Sequence, residues 1–149
     1  MDTLPFFADL APPRFVSGIS IVDVEGTLAF HGSSSAEPRA AFRIAAMRGT
    51  MRLFLCSNAA DSGRVARMAR DLGIPVLALR GRKPWGILPP DFLRGATMTV
   101  FGDKLLTDGL FAWRLGARFV KVRRLVSGRE SLADRIAFAI DDFLASFFA

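Results

Sequence analysis

Short apolar runs alternate along this chain with segments of helical spacing. Gly18 to Val24 (GISIVDV) is apolar at nearly every position, the pattern of a strand buried on both faces. The turn Glu25-Gly26-Thr27 follows, then a Gly/Ser-rich loop from His31 to Ala36. Glu37 to Arg48 has helical spacing, with Pro38 in the first turn where proline is tolerated. Met51 to Cys56 (MRLFLC) predicts a second strand and Asp61 to Leu72 a second helix, capped by Gly73 with Pro75 beyond it. Val76 to Leu79 predicts a short third strand, Thr97 to Phe101 a fourth and Ala117 to Val122 a fifth. Gly81 to Gly95 is proline-rich and reads as loop, with one helical turn near Asp91 to Arg94. Leu106 to Leu115 predicts a helix ended by Gly116, and Ser131 to Phe148 a C-terminal helix. Strands and helices in alternation mark an α/β domain with a parallel sheet. The expectation is one domain over residues 1–149 with its core over 16–122. Its architecture would be a doubly wound, five-stranded parallel sheet whose first and fourth strands flank a crevice.

Four polar residues fall at one edge of this pattern. Asp23, Ser57 and Asp103 stand at or just past the carboxyl ends of predicted strands, and Lys83 follows another by four residues. Open α/β sheets bind ligands outside those ends, where the strand order switches. Asp23 and Asp103, brought together, would repel and raise one another's pKa unless a cation lay between them. Magnesium suits that place, because it takes hard oxygen ligands, keeps several waters and bridges to phosphate. Asp108 could hold the ion's waters, or serve only as a cap or first-turn acid of the following helix. Asp23 is harder to explain by structure alone, since an unpaired carboxylate within VDV is costly. Ser57-Asn58 could offer a hydroxyl and backbone N–H groups to a phosphate, or form an ordinary polar turn. Lys83, in GRKPWG, is either a point charge for a carboxylate or phosphate or a solvated loop residue. Thr27 could donate to phosphate or shape its own turn. Cys56 reads as a small apolar strand residue, and His31 as an exposed neighbour of the crevice.

Composition narrows the classes. Of the 149 residues 51% are apolar, enough for a full core, which excludes global disorder. The net charge is +6, and arginine supplies most of the positive residues. That balance fits anionic partners such as nucleic acid, acidic lipid or a phosphorylated substrate, and it fits genomic base composition better still. One cysteine and one histidine exclude an internal disulfide and metal sites built from clusters of either residue. No apolar run reaches the roughly 20 residues needed to span a bilayer. Met1 to Leu10 carries two acids and no base, unlike a signal peptide. The expected location is therefore the cytoplasm or another reducing compartment, with peripheral membrane contact as the variant.

DVEGT (Asp23 to Thr27), the strand-end Ser57, the loop Lys83 and GDKLLTD (Gly102 to Asp108) resemble, in order, the four motifs of the haloacid dehalogenase (HAD) superfamily. LCSN, LGIP, KP and GDKLLTD look most like its subfamily IIIA, the branch that includes phosphatidylglycerophosphatase-like enzymes. DLAPPRFVSGISIVDVEGTL resembles that branch's approach to its first strand, and the likeness covers roughly Asp9 to Val122. The resemblance implies a Rossmann-like fold and a magnesium-dependent phosphatase. Asp23 would be the nucleophile that forms an aspartyl-phosphate. Thr27, Ser57, Asn58 and Lys83 would contact the phosphoryl group, and Lys83 would also stabilise the nucleophile. Asp23, Asp103, Asp108 and the Glu25 carbonyl would hold Mg2+. Glu25 stands where the superfamily's phosphatases usually carry Asp as general acid/base. Its side chain is one methylene longer, and a misplacement of about 1 Å can cost on the order of 10²-fold in rate. Glu25 therefore marks either a working enzyme, a slow one, or a relative that binds phosphorylated, nucleic-acid or protein ligands without turnover. The helix after the lysine also looks curtailed.

Neither the interval from Asp23 to Ser57 nor that from Ser57 to Lys83 has room for a cap domain. An open crevice suits a phosphate attached to something large, such as a lipid headgroup, a protein or a nucleic-acid end. Two surface features bear on the partner. Arg64, Arg67 and Arg70 recur opposite Val65, Met68 and Leu72, and Arg123-Arg124 follow the last strand, as a solvated face or as a patch for anionic lipid or nucleic acid. Leu132, Ile136, Ile140, Phe143 and Phe147 form a helical stripe expected to pack on the sheet. Phe138, Leu144 and Phe148 widen it toward a homodimer contact or shallow membrane docking, unless Phe6, Phe7 and Phe15 cover part of it.

Overall fold

Period-two alternation within each strand divides the apolar residues between two faces of one sheet. The structure, a computed structural model, describes residues 4–11, 18–59, 62–92 and 96–147. Among them β1 (Ile19–Asp23), β2 (Arg52–Cys56), β3 (Met98–Gly102) and β4 (Arg118–Lys121) form a parallel sheet in the order β2-β1-β3-β4. Val22, Leu53, Leu55 and Phe101 lie in one core cluster with Ile44 and Met47 of α1 (Pro38–Met47) and Val65 and Met68 of α2 (Ser62–Leu72). Ile19, Ile21, Cys56, Met98 and Val100 lie in the other, with Phe111 and Ala112 of α3 (Leu110–Arg114) and Leu77 and Leu88 of the connecting segment. The chain builds outward from β1 to β2, returns past β1, and builds the other way through β3 and β4. Right-handed crossovers in opposite directions place their connections on opposite faces.

Register fixes the working edge. Asp23 sits opposite Cys56, and Val22 opposite Phe101, so β1 and β3 end almost level. Asp23 and Asp103 therefore leave neighbouring strands at the point where the strand order reverses.

The expected elements hold except in four places. The sheet has four strands among the described residues, where five were expected. Val76 touches β2 by a single parallel bridge, made by Leu55 N donating to the Pro75 carbonyl at 2.9 Å and Leu77 N to the Leu55 carbonyl at 2.7 Å. Pro75 has no N–H, and the chain turns at once into a hairpin closed by two bonds between Arg80 and Ile87 at 3.0 Å. That hairpin carries Lys83 near its tip. Second, the helix expected over 106–115 opens with a wide π-helical turn at Leu105–Gly109 before α3. Third, the N-terminal segment covers the sheet rather than the C-terminal helix. Phe7 is buried edge-on against Phe101 at 5.6 Å between ring centres, and Arg123 N donates to the Pro5 carbonyl at 2.8 Å. Phe15 and Phe148 lie outside the described residues.

Fourth, α4 (Leu132–Ala145) is docked by the face opposite to the one expected. Ser131 caps it and forms a capping box with Asp134. Its apolar stripe points to solvent, while Asp141 is 3% exposed and faces the protein. No described helix is long and apolar enough to cross a membrane.

Candidate active site

Asp23, Lys83, Asp103 and Asp108 come together at the carboxyl edge of β1 and β3, each at most 7% exposed. Lys83 Nζ donates to Asp23 Oδ1 at 2.5 Å and also to Asp108 Oδ1. Carboxylate oxygens of Asp23, Asp103 and Asp108 lie within 4.8 Å of one another. Two glycines permit this closeness. A Cβ on Gly102 would collide with the Asp108 carboxyl, and one on Gly26, where φ is +79°, would stand 2.7 Å from Asp103 Oδ2.

Charge in the cluster is unbalanced. Burial, reinforced by repulsion from Asp108, pushes the Asp23 pKa up to about 8 even with Lys83 beside it. Burial likewise raises Asp103, against the pull of Arg124. Burial pulls the Lys83 ammonium down, but the attraction of Asp23 and Asp108 outweighs it, so Lys83 is held above its ordinary value and stays charged. Cys56, paired in register with Asp23, is driven up to about 12 by burial, which leaves it an inert thiol. Asp103 Oδ1 is buried and has no hydrogen-bond partner among the described residues. An orphaned carboxylate oxygen beside two further carboxylates is the arrangement a hard divalent cation satisfies.

The cluster borders a cleft of about 320 Å³ lined by Asp23, Glu25, His31, Asn58, Arg64, Lys83, Lys104 and Thr107 among others. Asn58 clasps the lysine loop: its Nδ2 donates to the Lys83 carbonyl at 2.9 Å, and Lys83 N donates to its Oδ1 at 2.8 Å. Ser57 Oγ accepts from Ala59 N at 3.0 Å and so shapes the turn after β2. Thr27 is buried, its hydroxyl has no partner among the described residues, and it lies away from the cleft beside Phe7 and Glu37.

Glu25 faces the cleft but not the carboxylate cluster. Its Oε1 pairs with Arg64 Nη2, its Oε2 accepts from Gly32 N at 3.2 Å, and His31 Nδ1 stands 3.8 Å away. Arg64 also donates to the Ser33 carbonyl at 2.6 Å. Arg64 is thus buried at the cleft rather than aligned with the exposed Arg67 and Arg70 on a basic face. Arg124 is likewise no surface residue: its Nε pairs with Asp103 Oδ2, and its guanidinium lies 3.9 Å from the Phe138 ring. Arg123 stacks over Phe6 at 4.8 Å. The patch expected from these arginines is accordingly reduced.

A second network supports the first. Asp141 of α4 accepts from Leu105 N at 2.9 Å and Leu106 N at 2.8 Å, and pairs with Lys121 at 2.9 Å. Burial opposes ionisation of Asp141, but these donors outweigh it and hold its carboxyl below the usual range. Asp141 thereby caps the π-helical turn that carries Asp108. Lys121 Nζ also donates to the Asp103 carbonyl at 2.8 Å. Comparison with known proteins returns no match: no family model, no curated protein and no solved structure resembles the chain significantly.

Arg64, Arg124, Lys121 and Asp141 are the site residues that sequence reasoning missed or misplaced. The available signals were slight: an arginine beside an apolar helix face, and a pair of acids inside an otherwise apolar helix.

Proposed function

We propose that the protein is a magnesium-dependent phosphomonoesterase that works through an aspartyl-phosphate on Asp23. The observation that carries this reading is Asp23 at the cleft wall, held against Lys83 with two further carboxylates within 4.8 Å. The motif likeness to the HAD superfamily supplies the reaction type, and the alternating α/β order suits a doubly wound, Rossmann-like arrangement.

The residues fit Mg2+. Asp23, Asp103 and Asp108 offer only hard oxygen ligands, one of them the orphaned Asp103 Oδ1. The ion when bound would neutralise phosphoryl oxygens and screen the carboxylates from one another. The Glu25 side chain is turned toward Arg64, so any contact of this residue with the ion is left to its carbonyl.

An Asp23 oxygen attacks phosphorus, the bond from phosphorus to the leaving oxygen breaks, and that oxygen takes a proton from Glu25. Water then attacks the phosphorus of the aspartyl-phosphate and gives its proton to Glu25, which releases phosphate and restores Asp23. Lys83 neutralises the nucleophile and the charge that develops on the transferring group. Asn58 fixes Lys83, and the turn at Ser57 presents backbone N–H groups to the phosphate. With no cap over the cleft among the described residues, the substrate would be a phosphate on a large or surface-held group, such as a phospholipid headgroup of the phosphatidylglycerophosphate type met at an anionic membrane from the cytoplasmic side.

The Arg64–Glu25 pair favours a second reading, in which the site binds a phosphorylated ligand with little turnover because its general acid/base is held elsewhere. A phosphatase panel that includes phospholipid headgroups, run with Mg2+ on wild type, Asp23→Asn and Glu25→Asp, separates the two. Magnesium-dependent hydrolysis lost in Asp23→Asn supports the enzyme. Hydrolysis by neither wild type nor Glu25→Asp, with phosphate binding retained, selects the second reading.

A further inference from the structure

Helices of small α/β proteins normally bury their apolar stripe, and α4 does the reverse. Asp141, Phe138 and the capped π-helical turn hold its polar face to the body of the protein. On the opposite face Leu132 is 72% exposed, Ile136 53%, Ile140 51%, Phe143 64% and Phe147 68%. No charged residue interrupts that stripe. Five such side chains leave on the order of 500 Å² of apolar surface in water, as much as the largest patch on a typical monomer.

We propose that this face is a dimer interface, occupied by α4 of a second copy in antiparallel, two-fold register. Three observations select that occupant. The apolar area approaches the roughly 800 Å² per partner of a standard interface. The exposed charges of α4 offer an anionic bilayer little attraction, because Asp142 offsets Arg135 and the helix has no other Lys or Arg, whereas helices that lie on membranes carry several beside the apolar face. Arg135 and Asp142 lie two turns apart on one flank of the stripe. An antiparallel two-fold places Arg135 of each copy against Asp142 of the other, so the attraction occurs twice. Asp142 pairs within its own chain with Lys121 at 3.3 Å and Arg124 at 3.5 Å, and with 60% of its side chain exposed it has room for a further cation from the second copy.

Sedimentation of the full chain over a range of concentrations tests this. Wild type is expected to dimerise. Ile136→Glu/Phe143→Glu should lose the dimer while keeping the far-ultraviolet spectrum, since both side chains are exposed, and its melting temperature should no longer depend on protein concentration. Arg135→Glu should weaken the dimer by about two- to five-fold per ion pair. Ala139→Cys, near the two-fold axis, should form a covalent dimer on oxidation. A wild type that stays monomeric, a dimer that survives Ile136→Glu/Phe143→Glu, or a monomer that instead binds phosphatidylglycerol vesicles through this stripe would each overturn the proposal.

Discussion

Asp23 and Glu25 are two carboxylates two residues apart, and their electrostatic company is opposite. Glu25 meets one guanidinium and a backbone N–H, a local balance of charge. Asp23 meets one ammonium but also Asp108 and Asp103, so its surroundings lack positive charge, and its pKa climbs to about 8. Both side chains line the same cleft. A cation is wanted beside Asp23 and not beside Glu25. A carboxylate that has its counter-ion needs nothing further, whereas a buried group of three acids that shares Lys83 and Arg124 is stable only with added positive charge or a retained proton.

The sharpest way to break this contrast is Asp23→Asn. Phosphatase activity should fall by about 10³-fold or more, as for loss of a nucleophile. The metal-free protein should at the same time melt at a higher temperature near pH 8, because one uncompensated charge has gone. Activity that persists would remove Asp23 from the chemistry.

Lys83→Met takes away the one cation that Asp23 and Asp108 share. Breaking a buried pair in this way costs about 3–5 kcal/mol, which denaturant titration reads directly. The double variant Asp23→Asn/Lys83→Met should recover part of the loss.

Glu25→Asp should sharpen the contrast from the other side. A shorter side chain reaches Arg64 less well and restores the reach usual among the phosphatases that the motifs resemble. The rate constant should rise by up to about 10²-fold; a fall would mean that the Arg64–Glu25 pair is itself the working arrangement.

Asp141→Ala removes the acceptor for two backbone N–H groups of the π-helical turn and should cost about 1–3 kcal/mol. It should also weaken Mg2+ binding, measured by calorimetry, because Asp108 loses its support. Intact metal binding would separate the two networks.

The gentlest test is pH. Asp23 is raised in the folded state from an ordinary value of 3.8 to about 8, so the folded protein holds a proton that the unfolded chain releases. The stability this contributes is complete below the unfolded pKa and is lost as pH rises through the folded one. Metal-free melting temperatures should therefore decline between about pH 4 and pH 8, and Mg2+ should flatten the decline. A flat profile without metal would show that Lys83 alone balances the site.

The edge that gathers Asp23, Lys83, Asp103 and Asp108 was legible because it depends on strands. Apolar runs mark the strands, parallel pairing aligns their ends, and a polar residue just past each run must emerge at the common edge. Helix orientation was not legible in the same way. Periodicity finds α4 but cannot say which face docks, since that is decided by Lys121, Arg124 and the 105–109 turn, which gather around Asp141 only in the folded chain. Arg64 was read as surface for a related reason: its inward turn answers Glu25, 39 residues earlier. The third strand reduced to one bridge because Pro75 and the hairpin carrying Lys83 leave no run of donors to extend it.

The Asp141 cap makes the site dependent on distant sequence. The turn that positions Asp108 finds its two acceptors 35 and 36 residues further along the chain. A chain whose α4 is not docked therefore has all four cluster residues but lacks the acceptor that caps the turn carrying Asp108. The turn that carries Asp108 gains this cap only when α4 docks, so the last helix of the chain completes the order of the cluster.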